Sequence, residues 1–491
     1  MKKLFVVLLM LLLTSCSTTS KQSTVTAKES STFAWSKCHR DFQCAVLTVP
    51  IDYSEKSLGN FEISVIRYRD PSQHNRLGSL VINPGGPGSS GVEYALNAEF
   101  IISPEVLERY DIIGFDPRGI GSSTPIHCLD AKEQDAYISS DPKPDNDAEF
   151  DQAIKDTQEF VNKCVAHTPN ISHFSTQEAA HDMELLRIAL GDKKLNYLGF
   201  SYGTYLGTLY AQQFPTHVGR FVLDGAIDPS ISIDEQALVQ ATAFDKALSN
   251  FITDCHKQQD CTLPADATGQ YFIDLFKKIS IQPLKADNRL VTEGMVVTAT
   301  AAALYDDVEG WPMLIMAINE ARDGDGTTFA KLADAYNGRE TDGSYISNEN
   351  DANVVIDCLD WNRNKSNEQI RANISKFAKA APVLGPYIAL SGITCNELNK
   401  VIGRTPNSTD QNTVQVSKTA TKVLIIGTTQ DPATPYAWAK ALHSYIHNSR
   451  LITLKAEGHT GYGRGSACTD DAVDSYLLTG IAPRKDLNCT Q

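Results

Sequence analysis

The stretch Leu195-Asn196-Tyr197-Leu198-Gly199-Phe200-Ser201-Tyr202-Gly203-Thr204 runs from a short apolar strand through a sharp turn into a helix that reaches Phe214 and is stopped by Pro215. A serine at the tip of so tight a turn takes strained backbone angles. Glycines on either side let strand and helix pass closely without side-chain clashes. Gly-x-Ser-x-Gly recurs by accident in long chains, but between a strand and a helix it marks Ser201 as a candidate nucleophile.

Working outward, the chain alternates strands with helices. Leu80-Val81-Ile82 reads as a buried strand running into Asn83-Pro84-Gly85-Gly86-Pro87-Gly88, and Tyr110 to Phe115 as another running into Asp116-Pro117-Arg118-Gly119-Ile120-Gly121-Ser122. Loops of this kind at strand C-termini are where open α/β sheets gather their ligands. Ser175-Thr176-Gln177-Glu178 predicts a helix start with reciprocal capping bonds, followed by the apolar Met183, Leu185, Leu186, Ile188 and Leu190, with Gly191 as the stop. Arg220 to Leu223 is a further strand, closing on Asp224-Gly225.

The alternation then lapses until Lys422 to Ile426, and it resumes with strand Arg450 to Leu454 and helix Ala472 to Leu478. This pattern predicts an α/β fold: a mostly parallel sheet with helices on both faces and a large, mainly helical lid insertion. The expected segments are core over 36–229, helical lid over 230–415, and the rest of the core over 416–491. Within the lid, Trp311, Met313, Leu314, Met316, Ala317 and Ile318 form one apolar segment.

A serine hydroxyl needs a general base, itself oriented by a carboxylate. His459, in the glycine-flanked Ala456-Glu457-Gly458-His459-Thr460-Gly461 after the penultimate strand, is the best placed of the histidines. His39 lies in the N-terminal segment, His127 and His181 precede the serine, and His443 and His447 fall on an expected helix. Asp431, in Gly427-Thr428-Thr429-Gln430-Asp431-Pro432-Ala433-Thr434-Pro435, supplies the acid and completes the order Ser, Asp, His. Asp431 also suits a helix N-cap, since proline follows it. Asp224 is the rival acid. The oxyanion donors expected are the backbone N–H of Tyr202 and that of Gly86, with Gly85 next.

The chain has 491 residues, 42% hydrophobic and 21% charged, an ordinary globular composition. Its net charge of −15 sets it against nucleic acid and in favour of cationic or neutral partners. Lys2, Lys3 and the apolar run Leu4 to Leu13 have the order of a secretory signal, too short to span a bilayer. Leu13-Thr14-Ser15-Cys16 resembles a bacterial lipobox. The expectation is therefore a signal over 1–15, lipidation at Cys16 and a flexible tether over 16–35. In a Gram-negative cell Ser17 favours outer-membrane sorting, so the protein is expected on the periplasmic side of the outer membrane or at the cell surface, with lipid its only membrane contact. Setting Cys16 aside leaves ten of the eleven cysteines. Pairing neighbours suggests Cys38–Cys44, Cys128–Cys164, Cys255–Cys261, Cys358–Cys395 and Cys468–Cys489 in an oxidising compartment. Neither zinc-knuckle spacing nor a Cys-x-x-Cys pair occurs, and no metal or organic cofactor is implied.

Asn83 to Gly88, Asp116 to Gly119, Gly199 to Thr204, Leu223-Asp224-Gly225 and Asp431 to Pro435 together resemble the secreted tripeptidyl aminopeptidase group of α/β-hydrolases, relatives of prolyl aminopeptidase. The resemblance covers nearly the whole mature chain and extends to Tyr305–Asp325 and Ile356–Asp360 of the lid. Asn83 stands where prolyl aminopeptidases usually carry histidine, which weakens a narrow proline specificity. What the resemblance implies is a serine exopeptidase acting through an acyl-enzyme on small peptides with a free amine. Glu235, Asp306, Asp307 and Asp360 are candidate ammonium ligands, none of them preferred. An esterase or lipase using the same groups is the alternative enzyme, and a catalytically silent surface binding protein the alternative of another class.

Overall fold

The computed structural model describes residues 33–259, 261–361, 365–404 and 419–491. The short runs that the sequence marks as strands are apolar on both faces, and such strands are stable only when a sheet is covered on both sides. Among the described residues the strands are β1 (Ser36–Lys37), β2 (Phe42–Pro50), β3 (Asn60–Tyr68), β4 (Gly78–Asn83), β5 (Tyr110–Phe115), β6 (Leu195–Phe200), β7 (Val218–Asp224), β8 (Leu284–Ala286), β9 (Arg289–Val291), β10 (Val423–Gln430), β11 (Ser449–Glu457) and β12 (Leu487–Thr490). All but β8 and β9 join one sheet in the order β1-β2-β3-β5-β4-β6-β7-β10-β11-β12. From β5 to β12 every neighbouring pair is parallel, whereas β1, β2 and β3 pair antiparallel at one edge.

Alternate residues of the central strands enter two different apolar cores. Val81, Ile113, Tyr197, Phe221 and Ile425 face one, with Met183 and Leu186 of helix Thr176–Leu190. Leu80, Ile112, Leu198, Val222 and Leu424 face the other, with Val473 and Leu477 of helix Ala467–Thr479. Between β7 and β10 the described residues form nine helices and the β8–β9 hairpin, around a core of their own that includes Phe251, Phe272, Phe276, Trp311 and Phe329. The helical insertion therefore interrupts the sheet between adjacent strands, as expected. Met316 is the exception in the apolar segment the sequence picked out, being 47% exposed. The five disulfides are the five expected pairs. The signal segment 1–15, Cys16 and most of the tether 16–35 lie outside the described residues. No helix among the described residues is long and apolar enough to cross a membrane.

Two local expectations are corrected. Ser175 caps its helix by accepting from Glu178 N–H, but the Glu178 carboxylate accepts from the Ser175 hydroxyl at 3.2 Å rather than from its backbone N–H. It lies 3.5 Å from the Arg118 guanidinium and 3.3 Å from His173, where a buried charge needs it more. Asp431 does not cap the following helix, which begins at Tyr436 after Pro435.

Arg118 explains the Asp-Pro-Arg-Gly loop. Its side chain is fully buried, its guanidinium donates two bonds of 2.7 Å to Asp182, and its remaining N–H groups reach the carbonyls of Pro50, Ile51 and His173. This loop residue is therefore a clamp between the antiparallel edge and helix Thr176–Leu190 rather than a ligand contact. Removing one partner of such a pair strands the other charge in the core. Arg118→Ala is expected to lower stability by about 3–5 kcal/mol, read as a shift in the urea-unfolding midpoint.

Candidate active site

The turn after β6 carries the constraint read from the sequence. Ser201 has φ 53° and ψ −123°, outside the ordinary helix and strand regions, and Tyr202 is the first residue of helix Tyr202–Gln213. The flanking glycines are sterically required. A Cβ on Gly199 would lie 2.4 Å from the Tyr197 ring and 2.6 Å from the Gly203 carbonyl, and one on Gly203 would lie 2.6 Å from Asn83 Oδ1. The Ser201 N–H donates to the Asp224 carbonyl at 2.8 Å, which ties the turn to the end of β7.

Asp431 follows β10 and is 2% exposed. Its two oxygens lie 2.9 Å from Nδ1 of His459, which follows β11. The same carboxylate accepts from the N–H groups of Ala433, Thr434 and Thr460 and from the Thr434 hydroxyl. A carboxylate so surrounded by donors can only accept, so Nδ1 carries the ring proton and Nε2 keeps its lone pair. Thr434 Oγ1 also lies 3.3 Å from Nδ1.

The structure thus brings Asp431 and His459 together directly. Ser201 reaches them through the β7 terminus: Asp224 holds the serine backbone, and a Cβ on the next residue, Gly225, would lie 3.2 Å from His459 Cε1. No hydrogen bond joins the Ser201 hydroxyl to the ring among the described residues. In unliganded sites such bonds are commonly long and tighten with substrate. Asp224, the rival acid, does not touch the imidazole nitrogens in this way. Its carboxylate instead accepts from Gly461 and Tyr462 N–H at 3.0 and 2.8 Å.

A family profile described as the alpha/beta hydrolase fold matches residues 78–465. The chain belongs to the alpha/beta hydrolase family. It is 33% identical over 462 residues to serine protease Hip1 of Mycobacterium tuberculosis, covering 91% of this chain and 87% of that protein. It is 33% identical over 474 residues to carboxylesterase B of the same species, covering 93% and 89%. Tripeptidyl aminopeptidase of Streptomyces lividans is 31% identical over 478 residues, covering 93% and 86%.

The hydrolase places its glycine-rich loop directly against the serine turn. A Cβ on Gly85 would lie 2.7 Å from the Phe200 carbonyl, 2.9 Å from Ser201 Cβ and 3.1 Å from Tyr202 N, and Gly85 has φ +106°. Its N–H is engaged by Asn83 Oδ1 at 3.1 Å. The next residue, Gly86, also has a positive φ of +103°. Asn83 therefore shapes the loop from within the core, being 1% exposed.

Residues of the insertion that the sequence did not single out close the site from above. The Tyr305 carbonyl accepts from His459 N–H at 2.8 Å, and the Tyr305 ring packs edge-on against the imidazole with centroids 5.3 Å apart. Tyr336 packs on Tyr305 in turn. Glu349 opens helix Glu349–Asp360, hydrogen-bonds the Ser89 hydroxyl, and lies against Gly88. Burial pushes its carboxyl upward in pKa, and its charge acts on both Tyr305 and Tyr336. No spacing rule exposes the contacts of Tyr305 with His459 and of Glu349 with Ser89, because each spans more than 100 residues of chain.

The four acidic residues weighed for ammonium binding lie elsewhere or are engaged. Glu235 is exposed on the first turn of helix Ile233–Cys255. Asp306 caps the segment leading to helix Gly310–Arg322 by accepting from Val308 and Glu309 N–H, and Asp307 pairs with Arg464 at 2.8 Å. Asp360, pushed up to about 7 by burial, bonds the N–H and hydroxyl of Thr176, whose hydroxyl also bonds the phenol of Tyr202.

The packing at Gly85 yields a sharp expectation. Gly85→Ala should lower kcat by about 10²-fold or more, because any Cβ there drives the loop off the serine turn, while the fluorescence-monitored melt shows a still folded protein.

Proposed function

We propose that this hydrolase is a serine exopeptidase in which Ser201, His459 and Asp431 act as nucleophile, base and orienting acid. The observation that carries the reading is the Asp431–His459 pair at 2.9 Å beside the strained Ser201 turn. Ser201 Oγ attacks the substrate carbonyl as its proton passes to His459 Nε2. The carbonyl electron pair becomes an oxyanion facing the N–H groups of Tyr202 and Gly86. His459 then returns the proton to the leaving amine, the C–N bond breaks, and water attacks the acyl-enzyme by the same route in reverse.

Similarity to serine protease Hip1 and to a tripeptidyl aminopeptidase supports peptide substrates. Glu349 fits as the group that meets their free amine. It is a desolvated carboxylate between the glycine loop and the Tyr305–Tyr336 pair over His459. The 230–415 segment then acts as a lid that limits entry to small peptides. The five disulfides and the 1–15 signal support an exported protein tethered through 16–35 and lipidated Cys16. Carboxylesterase B, equally similar, keeps ester hydrolysis as the second reading.

Product analysis by mass spectrometry separates the two. The peptidase is expected to release short N-terminal fragments from free peptides and to lose activity when the amine is acetylated. An esterase would cleave short acyl esters and ignore the amine. Ser201→Ala and His459→Ala should each abolish turnover and, in the first case, labelling by a fluorophosphonate, with folding retained. Glu349→Gln should raise KM for free-amine peptides by about tenfold while leaving short acyl esters nearly unaffected.

A further inference from the structure

We infer that Asp224 is a second, positioning carboxylate of the site: it binds the nucleophile's turn through its backbone and the base's loop through its side chain, and its negative charge supports the His459 imidazolium during turnover. The inference rests on the serine-hydrolase reading above.

The geometry is unusual in joining both halves of the chemistry through one residue. The Asp224 carbonyl accepts from Ser201 N–H at 2.8 Å. Its Oδ2 accepts from the N–H groups of Gly461 and Tyr462, two and three residues beyond the imidazole. The side chain is completely buried, and Oδ1 has no hydrogen-bond partner. A buried carboxylate oxygen left unpartnered is costly, and two backbone N–H groups alone would be served as well by a neutral amide.

The groups facing Asp224 account for the charge. His459, from the loop after β11, lowers its pKa. Asp431, from the loop after β10, raises it, and Asp224 in turn raises that of Tyr94 on helix Gly91–Leu96. The dominant influence is burial, which lifts the Asp224 carboxyl to about 6. Because the folded pKa exceeds the unfolded one, this group's contribution to stability is fully present in acid and is lost as pH rises from about 4 through 6. Above pH 6 the ionised carboxylate is therefore carried at a cost to the fold, and its benefit is catalytic. An imidazolium forms when His459 takes the serine proton, and it then has Asp431 on Nδ1 and feels the charge of Asp224 as well.

Asp224→Asn in the full chain tests this, because the amide oxygen still accepts both N–H bonds while the charge is gone. Expected results are a melting temperature at pH 8 equal to or above that of the parent, kcat lower by about tenfold, and an acid limb of kcat/KM displaced downward by about one pH unit. A lowered melting temperature with an unmoved pH profile would mean a purely structural role and overturn the inference. So would parent-like kcat and profile. Should the variant not fold, the His459 Cε1–H resonance of the Ser201→Ala protein decides. Two titration steps, one near pH 6, are expected, and a single step overturns the inference. Failure of the underlying reading looks different: the parent itself would not react with a fluorophosphonate.

Discussion

Four parallel strands standing side by side, β6, β7, β10 and β11, set every relationship at this site. Phe200 is in register with Asp224 and Asp224 with Ile426, so β6 and β7 end at one level of the sheet, while β10 and β11 run on together to the paired Gln430 and Glu457. The residues that follow these ends are Ser201, Gly225, Asp431 and, after one glycine, His459. Asp224 and Gly461, 237 residues apart in the chain, meet because backbone hydrogen bonds fix the strand ends, not because side chains seek one another. The helical insertion enters between β7 and β10, two strands that remain paired. It can grow or change without altering this register, and a site built in this way separates chemistry from selectivity.

The sequence carried the sheet and the site unequally. The central strands were legible because each is a short apolar run with turn residues at its end, and because the glycine positions admit no side chain: at Gly199 and Gly203 an added Cβ falls within 2.6 Å of its nearest neighbour. His459 and Asp431 could be picked out because a loop after a strand leaves few candidates of the right type. The antiparallel edge was less visible. Along β2, alternation blurs where residues are only half-buried, and β1 is two residues long. Helix Asp147–His167 escaped notice because only four of its residues are buried, leaving a weak apolar stripe.

What sequence reading could not reach are contacts made across the insertion. Glu349 looks like any acidic residue at the start of a helix, where carboxylates are common for reasons of helix polarity. Only folding sets it beside Ser89 and the tyrosines over His459. Asp360 is the converse case. It sat in a segment resembling the family's lid, yet it is spent on Thr176, which holds the phenol of Tyr202. That chain links the insertion to the first residue of the helix that follows Ser201. Cys358–Cys395 and the stacking of Trp361 on Tyr205 bind the same corner. The insertion is thus fastened to the catalytic turn on one side and to the imidazole, through Tyr305, on the other.

This double fastening bears on how substrate enters. The Gly88–Glu349 contact is close enough that a Cβ on Gly88 would lie 2.6 Å from the Glu349 carbonyl, and Asn353 donates to the Pro87 carbonyl at 2.9 Å. The start of helix Glu349–Asp360 is therefore held closely to the glycine loop. A wholesale swing of the insertion would tear the loop from Ser201 and dismantle the site it uncovers. Entry is better served by movement of segments that touch neither, with Glu349, Tyr305 and the glycine loop staying as one rigid wall. Under the proposed reading, in which Glu349 meets the free amine and Ser201 attacks, a fixed wall places that carboxylate at a constant distance from the serine. That distance, rather than side-chain pockets alone, sets how many residues lie between the free amine and the bond that is cut.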